Sequence, residues 1–78
     1  MTTEDDLLQA AIIDQLNAEL GASTMSMKQL AAAIGRPYDS TRNYLRKERN
    51  MPLGIFIECA TVLGVSPDTI IARARQRL

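Results

Sequence analysis

The chain has 78 residues, close to half of them apolar and very few aromatic, which limits it to one small domain with a modest core and leaves no room for a deep catalytic cleft. Histidine is absent and Cys59 is the only cysteine, which excludes an intrachain disulfide, a credible zinc or CxxC-type redox site, and the commonest general base. The formal net charge is zero, nine Lys and Arg against nine Asp and Glu.

Periodicity and capping signals divide the chain into five helices with no strand candidate, an all-α fold. Helix 1 is expected from about Glu4 to Leu20. Thr3 and Asp6 have the spacing of a capping box, Leu8, Ile12, Leu16 and Leu20 fall on one face, and Gly21 is the expected stop. The acids Glu4, Asp5 and Asp6 favour its positive N-terminal end. Helix 2 starts at Ser26, which with Gln29 makes a second capping-box pair, buries Met27, Leu30, Ala31 and Ile34, and ends at Gly35. Helix 3 begins at or near Pro37, a residue suited to a first turn because it has no amide hydrogen to satisfy, and continues to about Lys47. Asn50-Met51-Pro52 breaks the chain and opens helix 4, Leu53 to Leu63, closed by Gly64. Ser66-Pro67-Asp68 caps helix 5, which runs to about Gln76 and sends Ile70 into the core. There is no internal repeat, low-complexity tract or long linker, so residues 1–78 are expected to form a single domain.

No segment approaches the roughly 18 apolar residues of a membrane span, and the acidic start is the reverse of a signal peptide's basic n-region. A soluble protein of the reducing cytoplasm, without membrane contact, is expected.

The zero net charge conceals a segregation. Glu4, Asp5, Asp6, Asp14 and Glu19 occupy a first segment that contains no Lys or Arg, whereas Lys28, Arg36, Arg42, Arg46, Lys47 and Arg49 crowd a stretch with only Asp39 and Glu48. Arg73, Arg75 and Arg77 follow in the tail. A neutral protein with one basic face can still bind phosphate, because local potential steers association and phosphate neutralisation releases counterions; the alternative for such a cluster is a solvated helix face. Within helix 3, at about 100° per residue, Thr41, Tyr44 and Leu45 share an inner face. Asp39, Arg42, Asn43 and Arg46 share the outer one. That outer set is rich in groups that read base edges: Arg donates two hydrogen bonds to guanine O6 and N7, and Asn pairs bidentately with adenine N6 and N7.

Leu30-Ala31, Ile34-Gly35, Ser40-Thr41, the run Asn43 to Arg49 and the stretch ATVLGVSP from Ala60 to Pro67 together resemble the helix-turn-helix domains of lambda-repressor, Cro and XRE-type regulators. The resemblance extends from about Ser26 to Ala72, and helix 1 is compatible with that family's first helix. It implies a compact five-helix lambda-repressor-like domain with the helix-turn-helix core at residues 26–49. Ala31 matches the family's small residue in helix 2, and Gly35 its turn glycine, where a positive φ is tolerated. Four positions depart from the family pattern: Arg36 where an apolar turn residue is common, Pro37 where Ser or Thr caps, Thr41 where Val or Ile anchors helix 3, and Lys47 where many members have Gly. Thr41 needs a partner for a buried hydroxyl, such as a carbonyl one turn back.

The mechanism implied by the resemblance is insertion of helix 3 into the major groove with helix 2 across the backbone above it. By position, Tyr38, Asp39, Arg42 and Asn43 are the expected base readers, with Arg46 either a reader or a phosphate ligand. Tyr38 either reaches a thymine methyl or a phosphate or packs against helix 2; Asp39 accepts from cytosine N4, orients Arg42, or is a plain N-terminal helix carboxylate. Lys28, Arg36, Lys47 and Arg49 are expected phosphate contacts, joined by the amides near Ser26 and Met27.

Other features have plainer expectations. Met25, Met27 and Met51, with Met1, look like a methionine-rich surface, but two of them are expected to fill the core or its edges. Cys59 is expected to be a buried structural thiol. The tail arginines contact DNA or complement the C-terminal helix dipole, the second being preferred. Ile71, Ala74 and Leu78 form a second apolar line on helix 5, a candidate dimer seam or a frayed end. A weak dimer on DNA would read an inverted repeat with half-sites about 34 Å apart. The expected function is that of a sequence-specific DNA-binding transcriptional regulator, a repressor of the phage or prokaryotic type, acting on a double-stranded operator. The alternative is an antitoxin-like or regulatory protein-interaction module on the same scaffold. No nucleophile-base pair or metal cluster is evident, so neither an enzyme nor a cofactor, metal or small-molecule ligand is expected.

Overall fold

The computed structural model describes residues 3–78. Met1 of the methionine set lies outside them. The chain forms α1 (Glu4–Ala22), α2 (Met27–Ala33), α3 (Tyr38–Leu45), α4 (Leu53–Leu63) and α5 (Pro67–Arg75), and among the described residues no strand forms. The Cα radius of gyration is 11.8 Å, against about 11.5 Å expected for a compact domain of this length. Among the described residues no single helix is long and apolar enough to cross a membrane.

The helix starts follow their sequence signals closely. Thr3 Oγ1 accepts from the Asp6 amide at 3.1 Å while the Thr3 amide donates to the Asp6 carboxylate at 3.3 Å. Ser26 and Gln29 make the same reciprocal pair, at 3.1 and 2.8 Å. Pro37 stands just before α3 and Pro52 just before α4, both with extended backbone, and Pro67 is the first residue of α5. Ser66 departs from expectation: its hydroxyl donates to the Asp68 carboxylate and makes no cap bond to a helix amide.

Two helix ends differ from the expected ones. Gly21 does not stop α1, because the chain leaves through Ser23 in an extended conformation (φ −86°, ψ 172°), where no left-handed residue is required. The Ser23 amide and hydroxyl both donate to the Leu20 carbonyl, at 3.1 and 2.6 Å. Helix α3 ends at Leu45 rather than near Lys47, since Lys47 takes a left-handed φ of 63°. The Lys47 amide then donates to Tyr44 and the Glu48 amide to Asn43, a Schellman closure. The same pair of bonds closes α2 around Gly35 (φ 69°) and α4 around Gly64 (φ 73°). Lys47 is the single described non-glycine residue with positive φ, and it occupies a place where the resembled family commonly has Gly.

The core is drawn from every helix: Leu16 and Leu20 of α1, Leu30 of α2, Leu45 of α3, Ile55, Phe56, Cys59 and Ala60 of α4, and Ile70 of α5. Full burial of one such leucine is worth about 1.5–3 kcal/mol. Ile12, Ile34 and Tyr44 pack on the rim, as do Met25, Met27 and Met51, so the described methionines line the core edge rather than a surface patch. Burial pushes the Cys59 thiol up to about 11, helped by the neighbouring Glu58 charge, and keeps it an unreactive apolar filler. Ala31 is buried, consistent with α3 packing closely on α2.

Helix α5 lies along α1, the most extensive helix pairing in the molecule, and Ala74 is fully buried there. The candidate seam Ile71, Ala74, Leu78 is therefore not one exposed stripe. Ile71 packs against the core, Ala74 is covered by the fold, and Leu78 alone of the three is open, at 66% exposure.

Candidate nucleic-acid interface

One side of α3 is buried through Thr41 and Leu45. Thr41, fully buried, donates its hydroxyl to the Pro37 carbonyl at 3.1 Å, the partner one turn back that its burial requires. At the other end Asn17 of α1 donates from Nδ2 to the Leu45 carbonyl at 2.9 Å, closing one of the acceptors that a helix C-terminus leaves open. One turn earlier on α1, Asp14 accepts from Lys47 Nζ at 2.7 Å. Two polar side chains of α1, three residues apart, thus grip the C-terminal end of α3. Neither was singled out from sequence, where Asp14 and Asn17 look like ordinary solvated helix positions.

With its inner face buried, α3 directs Asp39 and Arg46 into solvent, with Arg42 and Asn43 half-exposed beside them. Tyr38 is 45% exposed. No hydrogen bond or ion pair joins Asp39 to Arg42 among the described residues. Lys28 is exposed on α2, Arg36 in the turn between α2 and α3, and Lys47 and Arg49 beyond α3.

Their electrostatic surroundings separate these cations into two groups. Among the described residues, Lys28, Arg42 and Arg49 make no ion pair, whereas Arg36 lies 3.8 Å from Glu58, Arg46 3.7 Å from Glu48, and Lys47 2.7 Å from Asp14. The pairs are solvent-exposed, with every side chain near half exposure, so they are weak and exchangeable. At the N-terminus of α2 the Ser26 amide donates to Gln29, and the Met27 side chain packs on the core rim.

Arg73 and Arg75 lie in the last turn of α5, the position that the dipole expectation needs, and Arg73 and Arg77 also make contacts that the sequence does not anticipate. Arg73 donates to both oxygens of Glu19 at 3.0 and 2.9 Å, and Arg77 donates from Nε to the buried Gln15 at 2.8 Å, while Gln15 donates in turn to Glu19 at 2.5 Å. The Arg73 hydrogen bond, then that from Gln15, holds the Glu19 carboxyl below its ordinary range against the opposing effect of burial. These contacts fasten α5 to α1. Arg75 remains exposed.

A second feature lies beside this surface. A groove of about 400 Å³ has an apolar lining that includes Ile12, Ile13, Met51, Phe56 and Ile71, with Lys47 and Arg49 on its border. Leu53, at 70% exposure, stands at its edge.

Comparison with protein-family models, curated proteins and solved structures finds no match for this chain. The functional reading therefore rests on the residues and their arrangement.

Proposed function

We propose that this chain is a sequence-specific DNA-binding transcriptional regulator of the prokaryotic or phage repressor type, in which α2 and α3 act as a helix-turn-helix and α3 enters the major groove of a double-stranded operator. The observation that carries this reading is a short helix with Thr41 and Leu45 buried on one side and its C-terminal Leu45 carbonyl bonded to Asn17, with Arg42 and Asn43 half-exposed on the other in a stretch rich in cations. Arg42 and Asn43 read base edges; Tyr38, Asp39 and Arg46 border them. Lys28, Arg36, Lys47 and Arg49 contact phosphates and set register. The protein acts in the cytoplasm, at the nucleoid, as a monomer or as a weak dimer that forms on DNA.

Selection of bound sites from a random duplex pool at moderate salt tests the proposal. A defined consensus is the expected result, and a palindromic one would establish a symmetric dimer. Absence of any enrichment would overturn sequence-specific binding.

The apolar groove bordered by Leu53 supports a second reading, a protein-interaction module on the same scaffold. That reading expects only salt-sensitive, sequence-indifferent affinity for DNA, together with loss of partner binding on Leu53→Asp.

A further inference from the structure

Three of the cations assigned to phosphate or base contact are each met by a carboxylate of the protein itself: Lys47 by Asp14 at 2.7 Å, Arg46 by Glu48 at 3.7 Å and Arg36 by Glu58 at 3.8 Å. The carboxylates come from three separate elements: α1, the loop after α3, and α4. Lys28, Arg42 and Arg49 are free of such partners among the described residues. Exposed pairs of this kind contribute little to folding. Their geometry nonetheless has a direct effect on an anionic ligand, because a carboxylate beside a cation offsets part of its charge and so weakens its attraction for a phosphate. Contrast Glu19, whose side chain is only 11% exposed beneath Arg73 and belongs to the α1–α5 joint.

We infer that Asp14, Glu48 and Glu58 are affinity-limiting residues of the DNA-binding face: each competes with backbone phosphate for one cation, so that the protein binds every duplex more weakly than its basic residues alone would allow. The inference rests on the DNA-binding reading above. Phosphate contacts supply most of non-specific affinity, so this competition lowers binding to random and selected duplexes by the same factor and leaves sequence preference unchanged. It also accounts for a basic face on a chain of zero net charge without requiring that all six cations be available at once.

The test is a set of coupled variants measured against a labelled random-sequence duplex and against the selected site, with helical content and melting temperature followed for each. Asp14→Asn should tighten binding to both duplexes by roughly fivefold, and Glu48→Gln and Glu58→Gln by roughly twofold each, the range expected for exchange of exposed ion pairs. The gain from Asp14→Asn should vanish in a Lys47→Met background, that from Glu48→Gln with Arg46→Met, and that from Glu58→Gln with Arg36→Met. Persistence of the gains after the cations are removed would overturn the inference, since the acids would then be repelling DNA directly through space. Unchanged affinity of the carboxamide variants, with the native protein binding duplex normally, would also overturn it while leaving the DNA-binding reading intact. Binding by the triple carboxamide variant but not by the native chain would support it in its strongest form. Failure of both proteins to bind any duplex would overturn the inference and the reading together.

Discussion

Arg73 and Arg77 fold back onto α1, one gripping the partly buried Glu19 with two hydrogen bonds and the other the buried Gln15, whereas Lys28 on α2, Arg42 on α3 and Arg49 after it make no ion pair among the described residues. The side chains are chemically alike, and the difference lies in what the fold puts opposite them. Where α5 runs along α1, the acids and amides of one helix meet the arginines of the other, and the charges are used within the molecule. Around α3 the inner contacts are made by Thr41, Tyr44 and Leu45, which leaves the cations facing out, held loosely if at all. A count of basic residues cannot separate these uses.

The largest expected effect tests the outer side of that contrast. Arg42→Ala and Asn43→Ala should each weaken binding to the selected site by about 1–3 kcal/mol and relax preference at one or two base positions. Melting temperature should stay close to native, since neither side chain makes a hydrogen bond or ion pair that holds the fold among the described residues. Lys28→Ala should instead weaken all duplexes alike and lower the salt slope by about one. Full site discrimination by the Arg42/Asn43 double variant would remove α3 as the reader.

The inner side gives an effect of about 1 kcal/mol, as Arg73 is half exposed and Glu19 only slightly so. Arg73→Ala should lower folding stability by that amount and leave DNA affinity unchanged. The loss carries a pH signature. Because Arg73 first, and Gln15 second, hold the folded Glu19 carboxyl below its ordinary value of 4.5, ionised Glu19 favours the fold above that value, and this contribution disappears as pH falls through the depressed folded value. The gap between native and Arg73→Ala melting should therefore be full at neutral pH and close in acid. A gap that stayed constant across that range would assign the loss to packing instead.

Helix existence, most helix starts and part of the core were legible in the sequence because caps and periodicity are local signals, although Leu8 lies outside the core cluster and Ile55, Phe56 and Ala60 of α4 were not distinguished. The boxes at Thr3–Asp6 and Ser26–Gln29, and the buried Leu30, Leu45 and Ile70, depend on spacing within one helix. The clasp of Asp14 and Asn17 on α3 and the burial of Ala74 were not legible, since each depends on which residue of one helix faces another far away in the chain. Arg73 and Arg77 illustrate the same limit: near a helix C-terminus they look like complements to the dipole, and only the position of Glu19 and Gln15 gives them partners. For the candidate site, sequence gave the outward set on α3 but not the state of its cations. Asp14 and Glu58 are 33 and 22 positions from the residues they meet, as the numbering of Lys47 and Arg36 shows.

The smallest effect lies at Lys47, one of three left-handed helix ends. Gly35, Lys47 and Gly64 hold equivalent left-handed positions at the ends of α2, α3 and α4, and a Cβ added at Gly35 or Gly64 would meet no neighbouring atom within 4 Å. Gly35→Ala and Gly64→Ala should thus each cost about 1 kcal/mol through backbone strain alone. Lys47 already bears that strain, and its ammonium on Asp14 offsets part of it. Lys47→Gly should therefore change stability by only a few tenths of a kcal/mol, the relief of strain being opposed by the lost ion pair and the freer unfolded chain. In an Asp14→Asn background, where no ion pair remains to lose, the same substitution should be more favourable, and thermal melting of the four proteins measures the difference. Equal effects in both backgrounds would mean that the 2.7 Å contact contributes nothing to holding Lys47 in its left-handed turn.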